Sequence, residues 1–394
     1  MMQPTESSPA QPLSGAAGRA GSLEVRVPDE LPLPIVGDNS GLESDFRLYP
    51  EELQLAFRNR AIPLEALRCD ITPTGLHYTL IHYDIPFVDP PSWRLSIGGL
   101  VRRPLSLGLD EIRRRPQRTL RVTLECAGDG RALLQPRPVG QPWLSGAVST
   151  AEWTGPPLRA LLDEAGLGDG VCEILFTGLD HGVEGGVEQD YQRSLPLPAA
   201  LDDGVLLAWA MNGAPLEPQH GAPLRLIVPG WYGMAHVKWL RAIEAIVEPF
   251  AGYQQAVSYR YSRSRDEPGE PASVMRVRSL MIPPGFPDFL TRVRIVQRAP
   301  VELEGRAWSG GSTITRVDVS TDGGGSWEPA QLDPPASSHS WQRWRYRWQP
   351  STPGPHELCC RAQDSVGNVQ PLDQYWTARG MGNNMIHRVR VLVV

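Results

Sequence analysis

From about residue 265 onward, hydrophobic and polar residues alternate and helical spacing disappears, a pattern that restricts this part of the chain to paired strands. Val301-Glu302-Leu303-Glu304-Gly305 and Thr315-Arg316-Val317-Asp318-Val319-Ser320 both run with period two, which sends successive side chains to opposite faces of a strand. Thr321-Asp322-Gly323-Gly324-Gly325 and Asp364-Ser365-Val366-Gly367-Asn368 are turn clusters between such runs. Short strands at this spacing over about 120 residues predict a β-sandwich. Trp341, Trp344 and Trp348, interleaved with Arg343, Arg345 and Arg347, read as one more strand with its aromatics on the sandwich core or a dimer face. Cys359 and Cys360 are adjacent in a strand-like run and are expected on opposite faces, both structural.

The preceding region is mixed. Trp93 to Gly98 alternates and then turns. Leu158, Leu161, Leu162 and Ala165 share one face of a helix opened by Gly155-Pro156-Pro157 and ended by Gly166. Leu224 to Gly230 is a short apolar strand with a turn, and alternation resumes from Val237 to Val247. The polar, proline-containing stretch from Ser258 to Ser273 reads as the linker. The expected organisation is a flexible segment over 1–42, a mixed α/β domain over 43–262 and a sandwich domain over 263–394, an α+β chain overall.

Composition removes several classes of function. A net charge of −6 disfavours a general nucleic-acid binder. Five cysteines, an odd and sparse set, do not form a disulfide framework, and no pair has zinc spacing. No run of about 18 apolar residues is present to span a membrane, and the Pro/Ser/Gly/Ala-rich start lacks the apolar core of a secretion signal. A cytoplasmic protein with no membrane partner is expected.

Chemistry concentrates at Thr123-Leu124-Glu125-Cys126-Ala127-Gly128-Asp129-Gly130-Arg131. Cys126 ends a β-type run and meets a glycine-rich turn, so one thiol stands at the mouth of a strand. There it can ligate a soft metal or act as a nucleophile; the alternative is a small buried cysteine at a strand end.

With this loop in view, the chain resembles the sulfite oxidase family of molybdenum-pterin enzymes. The likeness runs from about Pro73 to Val391. It is carried by ECAGDGR, PWLSGAVSTAEWTG, LLAWAMNG, HGAPLRLIVPGWYGMAHVKWL, DVSTDGGGSW, RAQDSVGNVQP and WTARGMGNNMIHRV, in that order. The resemblance implies a molybdopterin-binding domain followed by an immunoglobulin-like dimerisation domain, and hence a homodimer. It implies that Cys126 is the thiolate ligand of molybdenum, the metal being carried by molybdopterin. His220, Arg225 and Lys238 would anchor the pterin phosphate, with His236 where many members have a serine. Asp180 would hold the pterin amine edge, and His82 would lie near pterin and substrate. Arg131, Arg379 and Trp143 would form the pocket for a small anionic or sulfur-containing substrate, by family default sulfite.

Two positions depart from the family pattern. Leu80 stands where sulfite-oxidising members usually carry an arginine, and Trp209 stands at the position read as their tyrosine. Asp129-Gly130 also replaces Asn-Arg. The pocket is therefore expected to attract anions less, by up to three charges, which favours a sulfoxide or another sulfur oxyanion, or a catalytically weak homologue. No segment resembles a b-type haem domain and no C-x-x-C-H occurs, so no haem is expected and electrons would pass to oxygen or a separate cytochrome. Arg113-Arg114-Arg115 reads as the solvated face of a short helix, and nucleotide-binding loops are absent.

Overall fold

The computed structural model describes residues 48–264 and 266–394; the expected flexible segment 1–42 lies outside them. A mixed region of strands and short helices precedes a two-sheet sandwich. In the first region Leu95–Gly99 pairs parallel with Leu240–Ile246, inside a five-stranded sheet that also contains Leu105–Leu107, Glu173–Glu184 and Val187–Pro196. The helix Leu158–Ala165 buries the four predicted residues and stops at Gly166, whose φ of 69° is a left-handed value that glycine adopts without cost. The sandwich stacks a four-stranded sheet against a six-stranded one. Trp344 and Trp348 are buried between them, while Trp341 joins the core of the first region. Cys359 and Cys360 are both fully buried.

The two regions share packing. Leu280, Ile282, Trp308, Trp341 and Met381 of the sandwich lie in the same apolar cluster as the strands of the first region. The stretch read as a linker is folded. Arg260–Tyr261 pairs with Glu270–Pro271, and the Arg260 guanidinium donates to the carbonyls of Pro268 and Gly269. Backbone carbonyls satisfy its polar groups, so a polar composition there does not produce an extended tether.

Candidate active site

The strand Arg118–Glu125 pairs antiparallel with Val148–Gly155, and Glu125 opposite Val148 is the last rung. Cys126 follows immediately. Its N–H donates to the Ala147 carbonyl at 2.8 Å and its own carbonyl accepts from Asp129 N–H at 3.0 Å, so the chain turns back on itself. The thiol is 6% exposed, yet it is not walled off. It lies where a narrow crevice of about 50 Å³ meets a cleft of about 360 Å³, and Leu80, His82 and Tyr259 line both with it. Burial pushes the Cys126 thiol up to about 11, with the Arg131 charge opposing. Burial thus favours the protonated thiol; a coordinated metal cation would hold it as thiolate.

His220, Arg225, His236, Lys238 and Asp180 all line the crevice. Pro218–His220 form one helical turn, closed by Gly221 at φ 100°. Arg225, at the start of a short buried strand, donates to the carbonyls of His220 (3.0 Å) and His236 (3.3 Å), and its guanidinium lies 4.7 Å from the Trp153 ring. The Lys238 ammonium donates to the Leu80 carbonyl at 2.7 Å and the Gln219 carbonyl at 3.2 Å. Burial lowers the Lys238 ammonium, pushes His220 down to about 4, and raises the Asp180 carboxyl. His220 Nε2, Arg225 Nε, Asp180 Oδ1 and His77 Nε2 are buried without a hydrogen-bond partner. Orphaned polar atoms at such density are rare in folded proteins and mark places where a ligand completes the bonding.

His236 differs from the expectation. Its Nδ1 accepts from Val228 N–H and its Nε2 meets the Trp231 carbonyl, each at 3.1 Å. Both ring nitrogens are engaged with backbone, so His236 braces the loop and has no N–H left for a ligand. His77 was not singled out by its sequence; it packs edge-on to His220 with ring centroids 5.3 Å apart, in a segment whose local pattern gives no cue.

The cleft gathers Arg131, Trp143 and Arg379 beside Cys126. Arg131 is buried, and its guanidinium donates to the carbonyls of Arg379 and Gln141 at 3.0 Å each. Glycines make room for it: a Cβ at Gly128 would stand 2.5 Å from an Arg131 nitrogen, and one at Gly380 2.5 Å from Arg131 Cγ. Trp143 is 3% exposed and Arg379 half-buried. His82 Nε2 and the Tyr259 hydroxyl are 2.5 Å apart. Burial holds the Tyr259 phenol well above its ordinary value and His82 below its own, so the phenol keeps its proton and donates to a neutral imidazole.

A tyrosine the sequence reading did not mark, Tyr259, lines the cleft. It sits in the stretch read as a linker, after the helical turn Gln254–Ser258; a tyrosine there gave no periodic signal. Trp209, assigned in its place, is elsewhere. Its indole N–H donates to Gln117 Oε1 at 2.9 Å, Arg113 stacks over its ring at 4.7 Å, and it lines neither cavity around Cys126. Asp129 also stays out of the cleft. It is 1% exposed, accepts from the N–H groups of Gly146 and Ala147, and pairs with Arg278 of the sandwich at 3.0 Å. Arg278 offsets its charge in part and Asp129 does not line the cleft, so the cleft gains no carboxylate. Gly130, at φ 86°, leaves space for Asn383, whose amide donates to its carbonyl at 3.0 Å.

One thiol thus stands between a crevice lined by Arg225, Lys238 and His220 and a second cleft lined by Arg131 and Arg379, an arrangement suited to an anionic cofactor. Residues 82–254 match the oxidoreductase molybdopterin binding domain, and residues 271–394 match the Mo-co oxidoreductase dimerisation domain. The chain is 35% identical over 351 residues to sulfite oxidase of Gallus gallus, covering 81% of this chain and 72% of that protein. It is 36% identical over 348 residues to the mitochondrial sulfite oxidase of Mus musculus, covering 82% of this chain. It spans 62% of the length of that mammalian relative. The solved sulfane dehydrogenase SoxCD of Paracoccus pantotrophus superposes with a TM-score of 0.72 at 26% identity, covering 96% of this chain and 94% of that one. The chain belongs to the sulfite oxidase family of molybdopterin oxidoreductases. The crevice fits the family's cofactor by donor chemistry: Arg225, Lys238 and His220 suit a phosphate, Asp180 suits a polar ring edge, and the Cys126 sulfur suits a soft metal.

Proposed function

We propose that the protein is an enzyme that oxidises a small sulfur compound, with sulfite as the first candidate and a molybdenum-pterin as the resident cofactor. When bound, that group supplies two-electron oxygen-atom transfer, with Cys126 Sγ as the protein's ligand to the metal. His220, Arg225 and Lys238 hold its phosphate, and Asp180 holds the ring edge. Arg131 and Arg379 bring positive charge to the cleft from the two regions of the chain and orient an anion toward the thiol. Tyr259 presents a proton-bearing hydroxyl held by His82, and Trp143 excludes water from one wall. This is placement and electrostatic preorganisation, the contribution a protein makes when a cofactor carries the chemistry.

The observation that carries the reading is the position of Cys126 where the two cavities meet. Sulfite gains support over the sulfoxide alternative, because a tyrosine lines the cleft and Asp129 does not. Of the expected departures, Leu80 alone still faces the cleft and the crevice. Leu80 and the likeness to sulfane dehydrogenase keep a sulfane or other reduced sulfur species as the second reading. Electrons leave to an external acceptor, oxygen or a cytochrome, and the 271–394 region joins two copies. We further assign the protein to the cytoplasm; among the described residues no helix is long and apolar enough to cross a membrane. Metal analysis paired with steady-state assays on sulfite, thiosulfate, a sulfoxide and nitrate, using artificial electron carriers, tests the proposal. About one molybdenum per chain and sulfite turnover are expected. Purified, metal-loaded protein that turns over none of the four would overturn the reading.

A further inference from the structure

Arg193 is a buried cation that the reading above does not use. It lies on the strand Val187–Pro196, between Tyr191 and Leu195 on the inward-facing alternation, and is 3% exposed. One of its terminal nitrogens donates to the Gln254 carbonyl. Its guanidinium carbon lies 5.5 Å from the Tyr259 ring centroid, and its Nε is buried with no hydrogen-bond partner. Among the described residues no carboxylate forms an ion pair with it. Compare Arg278, equally buried, which pairs with Glu125 at 2.7 Å and Asp129 at 3.0 Å. An unpaired interior guanidinium is costly, and packing alone would be served better by an apolar side chain of similar volume. Its charge also acts on the site: burial foremost, then Lys238, Arg193 and Arg131 together disfavour protonation of His82.

We propose that Arg193 is a positioning residue for the substrate anion: held behind Tyr259, it supplies positive potential to the cleft across an aromatic ring and supports the His82–Tyr259 pair. The wall of the same cleft at Leu80 is uncharged. The cation therefore stands one layer back, where it attracts an anion without touching it. A charge set behind a low-dielectric ring remains effective, because little water screens it. The ligand class is a small mono- or dianion, and the inference rests on the sulfur-substrate reading above.

The test uses the cofactor-loaded protein with two probes, sulfite for turnover and sulfate for binding by calorimetry. Arg193→Met is expected to raise the sulfite KM and weaken sulfate binding, each by about tenfold, the size expected for losing one unscreened charge near an anion. Its kcat should change less than threefold and its melting temperature should hold or rise. Arg193→Lys should keep the wild-type KM. Leu80→Arg placed in the Arg193→Met protein should recover most of the loss, because it returns a cation to the same cleft. A lower melting temperature in Arg193→Met with KM and sulfate affinity unchanged would make the residue structural and overturn the proposal. Should Arg193→Met not fold, a tenfold higher KM in a folded Arg193→Lys protein likewise overturns it. If the wild type binds sulfate but turns over no sulfite, the substrate reading fails while the sulfate comparison still decides the role of Arg193.

Discussion

The crevice wall and the junction between the two regions are both rich in buried charge, and they treat it in opposite ways. At the junction the buried cations Arg278 and Arg306 meet carboxylates. Arg278 pairs with Glu125 and Asp129, Arg306 pairs with Asp70 at 2.9 Å, and Trp308 donates to Glu125 at 2.8 Å. At the crevice Arg225 and Lys238 donate to carbonyl oxygens only, and four neighbouring polar atoms lack any partner. A closed network holds two parts of a chain in one arrangement. An open one has been left incomplete for something else to close. The difference separates structural charge from binding charge more cleanly than burial does.

The contrast can be broken, and the largest effect is expected at the thiol between the two regions. Cys126→Ser should lower turnover by at least about a thousandfold, on the scale of removing a group made for the reacting centre, and abolish the metal-linked redox signal. Wild-type turnover by that variant would remove the proposed mechanism. Next is the junction. Arg278→Met leaves Glu125 and Asp129 buried without their cation and should cost about 3–5 kcal/mol of stability by chemical denaturation. A loss below about 1 kcal/mol would mean that the triad is not a closed network.

The cofactor-free crevice should respond to acid. His77, His220 and His236 are each 2% exposed and held neutral, the first well below the ordinary histidine value, the others down to about 4 and about 3. The unfolded chain takes up these protons near pH 6.5 and the folded chain does not, so stability falls as pH drops below 6.5. Each histidine contributes up to about 1.4 kcal/mol per pH unit until its folded value is reached. Denaturation of the apoprotein between pH 7 and 4.5 reads this slope, and His220→Gln should reduce it by one histidine's share. An unchanged slope would show that His220 is charged in the fold. The smallest effect belongs to Trp209→Phe, which should leave sulfite kcat/KM within about threefold and cost about 1 kcal/mol through the lost bond to Gln117. A loss of two decades in kcat/KM would return Trp209 to the active site.

Much of the site was legible because its signals are local. The cysteine strand and turn are continuous in sequence, and so is the block from His220 to Lys238, in which a few bonds link His220, Arg225 and the loop before Lys238. The helix Leu158–Ala165 follows from its spacing and terminal glycine. What escaped depended on partners distant in sequence. Asp129 reads locally as an added pocket charge, but the fold pairs it with Arg278, 149 residues later. His236 reads locally as a donor, but Val228 and Trp231 occupy its two ring nitrogens. Tyr259 and His82 are 177 residues apart, and a polar neighbourhood hid the tyrosine.

The chain by itself determined where strands and helices form and that a single thiol terminates one strand, since periodicity and turn chemistry act over a few residues; the basic residues that go with that thiol came from the family resemblance of the blocks that carry them. Tertiary structure alone decided which charges are cancelled and which remain open to a ligand. The charge a side chain offers depends on what lies within about 4 Å of it, and at Asp129, Tyr259 and Arg193 those neighbours come from elements far along the chain.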